Sequence, residues 1–145
     1  MSTYYWIARE VPEALEIRQV YGFIFDIHGS VLLLEDEGEY NLPGGKPEKD
    51  ESLSETLVRE IKKEAQLTII ALKYLGYQLV IGEEEFAQVR FAARIGQIYP
   101  SAPDPSTGRP YSRLWVPPMQ ANAMLLWGNS GDQQIASAIA ASSHF

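Results

Sequence analysis

The chain has 145 residues with 12 Lys plus Arg against 19 Asp plus Glu, a formal charge of −7, a length that suits one domain with a core able to stand without covalent staples. It has no cysteine and only two histidines, His28 and His144, so disulfide frameworks, thiolate zinc sites, cysteine nucleophiles and multi-histidine metal cages are excluded. The negative balance disfavours a non-specific grip on a nucleic-acid backbone but leaves a metal-bridged phosphate ligand open.

The 46% hydrophobic and 21% charged fractions are those of a folded protein rather than a disordered tail. No apolar run approaches the roughly 18 residues needed to cross a bilayer. The opening MSTYYWIAREVPEALEIR lacks the basic-then-apolar order of a secretory signal, so no membrane partner is expected and the cytoplasm is the default location.

In chain order, the first strong signal is VYGFIFDI at 20–27, closed by His28-Gly29-Ser30 and followed by the apolar run 31–34. Two such runs around a Gly-containing connection predict a hairpin. Glu35, Asp36, Glu37 and Glu39 around Gly38 then read as a solvated loop leading to Asn41-Leu42-Pro43-Gly44-Gly45. Over 52–66 the pattern turns helical, because Leu53, Leu57, Ile61 and Ala65 recur every four residues as one apolar stripe. Ser52 with Glu55 three residues on predicts a capping box at its start.

Strand-like segments follow at 67–81, with a bulge or break expected at Gly76, and at 86–98, joined through Gly82 and Glu83 to Glu85. Residues 99–110 hold four prolines and form a long loop. A short strand is expected at 111–116, a short helix at 119–127 stopped by Gly128, and a last helix at 132–141. With no internal repeat and no linker, the order predicts one mixed α+β domain over 1–145.

On the helix at 52–66, Glu60 and Glu64 lie one turn apart on a face other than the apolar stripe. Two like charges there repel by only a few tenths of a kcal/mol in water, so about that much is lost by keeping them together. The pair becomes useful when a hard divalent cation bridges it, since Mg²⁺ takes one or two carboxylates plus the phosphates of a substrate. Alone, such a pair is an ordinary solvated face.

The context changes that reading. Gly45 is followed after five residues by Glu51, after seven more by Arg59-Glu60-Ile61, and then by Glu64 and Leu67. This resembles the Nudix box, and Leu42-Pro43-Gly44 ahead of it is also usual in that family. Two positions depart: Lys63 stands where the family has the first glutamate of a Glu-Glu pair, and Gln66 where it has a glycine. Gln66 implies a small local rearrangement at the helix end, because the left-handed conformation is easiest without a side chain.

The resemblance implies a Nudix-like α/β/α sandwich with a mixed sheet, the box at 45–67, extending over roughly 18–142. It implies Mg²⁺- or Mn²⁺-dependent hydrolysis of a phosphoanhydride in a small nucleoside diphosphate derivative. Glu64 would be a metal ligand, Glu60 a ligand or the base for water, and Gly44 and Gly45 would let the backbone approach the substrate. Arg59 and Glu51 would pair and pin loop to helix. Lys63 has two physical readings: its ammonium replaces part of a cation's charge and touches the substrate phosphate, or it repels the cation and leaves a nucleotide-binding sensor or interaction module.

A further carboxylate from outside the box often completes the family's metal site; Glu83, Glu84, Glu85 and Asp104 are the candidates here. Arg109 and Arg113, with Tyr99 and Tyr111, are candidates to hold phosphate or stack on a base. Family members often dimerise, and Trp6 with Tyr4 and Tyr5, ahead of the fold proper, is the expected place for a second subunit.

Overall fold

A computed structural model describes residues 1–145. In chain order the elements are β1 (Thr3–Ile7), β2 (Ile17–Phe25), β3 (Val31–Asp36), β4 (Glu39–Asn41), β5 (Gly44–Gly45), α1 (Leu53–Ala65), β6 (Leu67–Ile81), β7 (Glu85–Ile98), β8 (Ser112–Val116), α2 (Pro118–Leu125) and α3 (Gly128–Ser142). All eight strands join one sheet in the order β1-β6-β7-β2-β3-β4, with β5 added to β2 and β8 to β3. Only β2 and β7 run parallel; the other pairs are antiparallel, so the sheet is mixed.

The period-2 alternation of the central strands divides the core in two. Val20 and Ile24 of β2, Leu32 and Leu34 of β3, and Ala87, Val89 and Ala93 of β7 face Leu57, Ile61 and Ala65 of α1. Phe23, Phe25, Val31, Leu33 and Ala92 face the opposite way, against Ala121 and Leu125 of α2 and Ile135 and Ala138 of α3. The apolar stripe of α1 is therefore what covers one face of the sheet, and the two C-terminal helices cover the other. This is the α/β/α sandwich, an α+β fold with a mixed sheet. No helix is long and apolar enough to cross a membrane.

Four local expectations are corrected. The segments at 20–27 and 31–34 do fold back on each other, but β2 and β3 share only the pair Phe25 and Val31. Beyond it they diverge: β3 pairs with β8 along five residues, and β5 takes the place beside β2. That divergence opens a cleft. The acidic stretch is a second hairpin rather than a solvated loop, with Glu37 (φ 51°) and Gly38 (φ 87°) both left-handed between β3 and β4, as a two-residue turn of the type I′ kind requires.

The N-terminal aromatic residues are not ahead of the fold. They form the edge strand β1, paired antiparallel with β6 from Thr3↔Ile81 to Ile7↔Tyr77, and the Trp6 indole donates to Ser137 Oγ on α3 at 3.3 Å. Gly128 does not stop the helix before it. Leu126 (φ 62°) ends α2 in the left-handed conformation, and Gly128 begins α3 four residues earlier than the sequence pattern indicates. Gly76 does mark a register shift between β6 and β7.

Candidate active site

The loop and helix at 44–66 are assembled by side chains before they do any chemistry. Ser52 Oγ accepts from the Glu55 N–H at 3.1 Å while the Glu55 carboxylate accepts from the Ser52 N–H at 2.9 Å, the reciprocal capping box. Arg59 donates from Nε to Glu51 at 2.7 Å and from Nη2 to the other Glu51 oxygen at 3.0 Å, a two-pronged pair that also reaches the Lys46 carbonyl at 3.0 Å. Glu51 additionally accepts from Thr56 Oγ1 at 2.7 Å and the Glu48 N–H at 3.0 Å. The Arg59 hydrogen bond, with those two, holds the Glu51 carboxyl down to about 2.

This clamp fixes the phase of α1, and the phase sends Glu60 and Glu64 toward the two glycines. The Gly44 N–H donates to Glu64 Oε1 at 2.9 Å. Gly44 has φ +150° and lies so close to the backbone of β2 that a Cβ would strike the Val20 carbonyl. At Gly45 a Cβ would stand 2.7 Å from Glu60 Oε2, so the missing side chain is the space the Glu60 carboxylate occupies.

The two carboxylates have unlike surroundings. Glu60 is 6% exposed; its Oε1 accepts from Lys63 Nζ at 3.0 Å and from Arg59 Nη1. Glu64 has no cationic hydrogen-bond partner, and burial, reinforced by the charges of Glu60 and Asp104, pushes its carboxyl up to about 8 despite the Gly44 N–H. Burial works against the charge of Lys63, but its hydrogen bond to Glu60 and the charges of Glu60 and Asp104 outweigh this and raise its pKa.

The cleft made by the divergence of β2 and β3 encloses a cavity of about 310 Å³ walled by Glu64, Gly44, Tyr21, Asn41, Asp36 and Tyr111. Of the four acidic residues considered outside the box, Asp104 is the one whose charge acts on Glu64. It is 3% exposed in the proline-rich loop, with Oδ1 accepting from the Ser106 N–H at 2.8 Å. Glu83, Glu84 and Glu85 are exposed at the β6–β7 turn, where Glu84 pairs with Arg18.

Arg109 and Arg113 go to different places. Arg109 pairs with Asp36 on the cleft wall, Nη2 to Oδ2 at 2.7 Å. Arg113 donates Nη1 to the carbonyls of Ala65 at 3.0 Å and Tyr99 at 2.7 Å, closing the C-terminal end of α1. Gln66 ends α1 where the family has a glycine. It adopts the left-handed cap itself (φ 53°, ψ 47°), donates Nε2 to the Lys63 carbonyl at 3.0 Å and accepts from the Ala102 N–H at 3.1 Å.

A divalent cation fits this donor set, and its best-supported place is at Glu64. The half-buried carboxylate there accepts no hydrogen bond from a cation, whereas Glu60 already has two cationic partners on one oxygen. No three acidic or histidine side chains converge into a complete cage, so water and substrate phosphate would complete the coordination, the usual habit of Mg²⁺.

Sequence reasoning missed Arg90. It lies in the middle of β7, 1% exposed, on the α3 face of the sheet. Its guanidinium stands 5.1 Å from the ring centre of Tyr21 and 4.9 Å from that of Trp127. The signal was present: alternation along 86–93 puts Gln88 and Arg90 on one face and Ala87, Val89, Phe91 and Ala93 on the other.

A NUDIX domain profile matches residues 16–138. A protein of Bacillus subtilis (strain 168) named "Putative 8-oxo-dGTP diphosphatase YtkD" is 43% identical over 58 residues, which are 39% of this chain and 37% of that protein. The match thus spans little more than a third of that relative's length. Among solved structures, a variant of the pyrophosphohydrolase BsRppH of Bacillus subtilis superposes with a TM-score of 0.75 at 23% identity, covering 97% of this chain and 92% of that one. A NUDIX hydrolase from Nitrosomonas europaea gives 0.67 at 16% identity over 87% and 90% of the two chains, and a MutT protein from Methanosarcina mazei Go1 gives 0.62 at 20% over 93% and 100%. These likenesses establish the fold, and the profile, covering most of the chain, establishes the family: the chain belongs to the NUDIX domain family.

Proposed function

We propose that this chain hydrolyses a phosphoanhydride bond in a small nucleoside diphosphate derivative, within the cleft between β2 and β3 and with the help of Mg²⁺ or Mn²⁺. The observation that carries the reading is Glu64, a half-buried carboxylate in a cavity wall whose only hydrogen-bond donor is one backbone N–H. A bound divalent ion would neutralise the phosphate oxygens and ease deprotonation of the attacking water. Glu64, with Glu60 beside it, would hold that ion. The Gly44 N–H orients the Glu64 carboxylate, and Arg59 and Lys63 hold Glu60 from two sides.

Lys63 sits where a further carboxylate would add to the negative charge of this face, and it supplies a fixed positive charge there instead. Its ammonium, which rests on Glu60 Oε1, would turn to the departing phosphate. Arg109, tethered to Asp36 on the cleft wall, would be the second cation offered to the phosphates, while Arg113 clamps the end of α1. The B. subtilis relative, named as an 8-oxo-dGTP diphosphatase, supports a nucleotide as the substrate.

The test is to incubate the protein with Mg²⁺ or Mn²⁺ and a panel of nucleoside di- and triphosphates, dinucleoside polyphosphates and sugar nucleotides, following the phosphate products. Turnover that disappears in Glu64→Gln supports the reading. Nucleotide-induced thermal stabilisation with no turnover of any compound would make the protein a nucleotide-binding module and overturn it.

A further inference from the structure

A second cavity, of about 360 Å³, adjoins the first and shares Tyr21, Asn41 and Leu42 with it. Its wall on the α3 side is polar in an unusual way for the interior of a sheet sandwich: Gln78, Gln88 and Arg90 stand on neighbouring strands, under Trp127. The amides are already committed to one another. Gln78 Nε2 donates to Gln88 Oε1 at 2.9 Å and Gln88 Nε2 to Gln19 Oε1 at 3.0 Å. Gln78 Oε1 in turn accepts from Ser130 Oγ and Gln134 Nε2, both at 2.9 Å.

Arg90 is the exception in this network. Nε donates to Gln134 Oε1 at 2.8 Å and is the one nitrogen of the fork with a protein acceptor. Nη1 is buried with no partner. A buried donor left unmade is costly, more so on a charged group, so the fold maintains a standing demand for an acceptor at this point. No carboxylate answers it; the guanidinium is flanked by the faces of Tyr21 and Trp127.

We propose that Arg90 is the residue that reads the base of the substrate, taking a 6-oxopurine ring in the second cavity while the phosphates lie beside Glu64 in the first. The chemistry follows from the donor count. A guanidinium can only donate, so Arg90, with Nη1 unpartnered, fits a ring edge that presents acceptors to it. The O6 and N7 edge of a guanine-type base does so and matches a guanidinium fork in two-pronged geometry, whereas the adenine edge places an amino donor against it. Tyr21 belongs to both cavities and so fixes where the base ends and the phosphates begin. This inference rests on the nucleotide substrate proposed above.

Equilibrium binding separates the two claims, because it needs neither metal nor turnover. Calorimetry with dGMP, dAMP and inorganic pyrophosphate is the measurement, on the wild type and on Arg90→Met. The expected result is dGMP bound about 5-fold to 100-fold tighter than dAMP, from roughly 1–3 kcal/mol for a two-pronged base contact at 1.4 kcal/mol per decade. Arg90→Met should abolish that preference and leave pyrophosphate binding unchanged. Where the buried Met variant fails to fold, Arg90→Lys keeps the charge and loses the fork, and the preference should shrink at least about fivefold.

Equal affinity for the two mononucleotides in the wild type, or no measurable binding of either, overturns the assignment, as does a preference that survives both variants. Pyrophosphate weakened as much as dGMP would place phosphate at Arg90 and overturn it too. An intact preference for dGMP in a protein that hydrolyses nothing would leave Arg90 as assigned and remove the hydrolytic reading alone.

Discussion

Glu64 is held by the fold in a state that a cation would relieve: it is pushed up to about 8 by burial and given one N–H for company. Mg²⁺ is therefore expected to raise the melting temperature of the wild type and to leave Glu64→Gln unmoved, with hydrolysis in the variant down roughly 100-fold or more, the scale of losing one group that answers transition-state charge. Lys63→Glu is expected to tighten the Mg²⁺ dissociation constant by about 10-fold, because it replaces an ammonium with a hard oxygen donor on the same face. A constant that stays the same or weakens in calorimetry would mean that Lys63 does not bear on the ion. Gly45→Ala tests the neighbouring wall. A methyl 2.7 Å from Glu60 Oε2 forces that carboxylate to move, so turnover should fall by about 10-fold or more, the penalty of misplacing a reacting-site group by about 1 Å.

At the scale of elements, α1 is a helix whose two ends are tied to different loops. Its start is fastened to the glycine loop through Glu51 and Arg59, and its end to the proline-rich loop through Gln66 and Arg113. Gln66 in the left-handed conformation bears a cost of roughly 1 kcal/mol that glycine would escape. It offsets that cost with two side-chain hydrogen bonds. Gln66→Ala keeps the backbone cost and loses both bonds, so it should destabilise by about 1–2 kcal/mol, read as a lower urea midpoint. Gln66→Gly should sit closer to the wild type.

The helix was legible in the sequence because its stripe, cap and box spacing agree with one another, and the chain order of the long strands was legible because β6 and β7 are long, mostly apolar runs separated by the turn residues around Gly82. The β3–β4 hairpin was not, since strands of Glu and Asp run against the usual strand composition and Glu37 is not a usual turn residue. Arg90 was missed for a related reason: a single arginine in a mostly apolar strand carries no motif, and only the fold shows that Tyr21, Trp127 and Gln134 converge on it from β2 and the α3 end of the chain.

At the scale of the whole molecule, acid stability depends on the same clamp that aims the site. The Glu51 carboxyl, about 4.5 in an unfolded chain, is held down to about 2 by its hydrogen bond from Arg59, with the Glu48 N–H and Thr56 adding to it. A carboxylate depressed on folding contributes stability that is complete above the unfolded value and is lost as pH falls through the folded one. For Glu51 that window runs from about 4.5 down to about 2. General charge repulsion changes over the same range, from −7 at neutral pH toward net positive as carboxylates protonate, so the wild type alone does not isolate the pair. Comparison with Glu51→Gln does, because both proteins share nearly all of the background. The difference in urea midpoint between them should be largest at pH 5 and above, narrow steadily below pH 4.5, and close near pH 2. A difference that stayed constant across that range would show that the Arg59 pairing does not set the acid limit. Since Arg59 also holds Glu60, the variant should lose turnover at neutral pH well before it loses its fold.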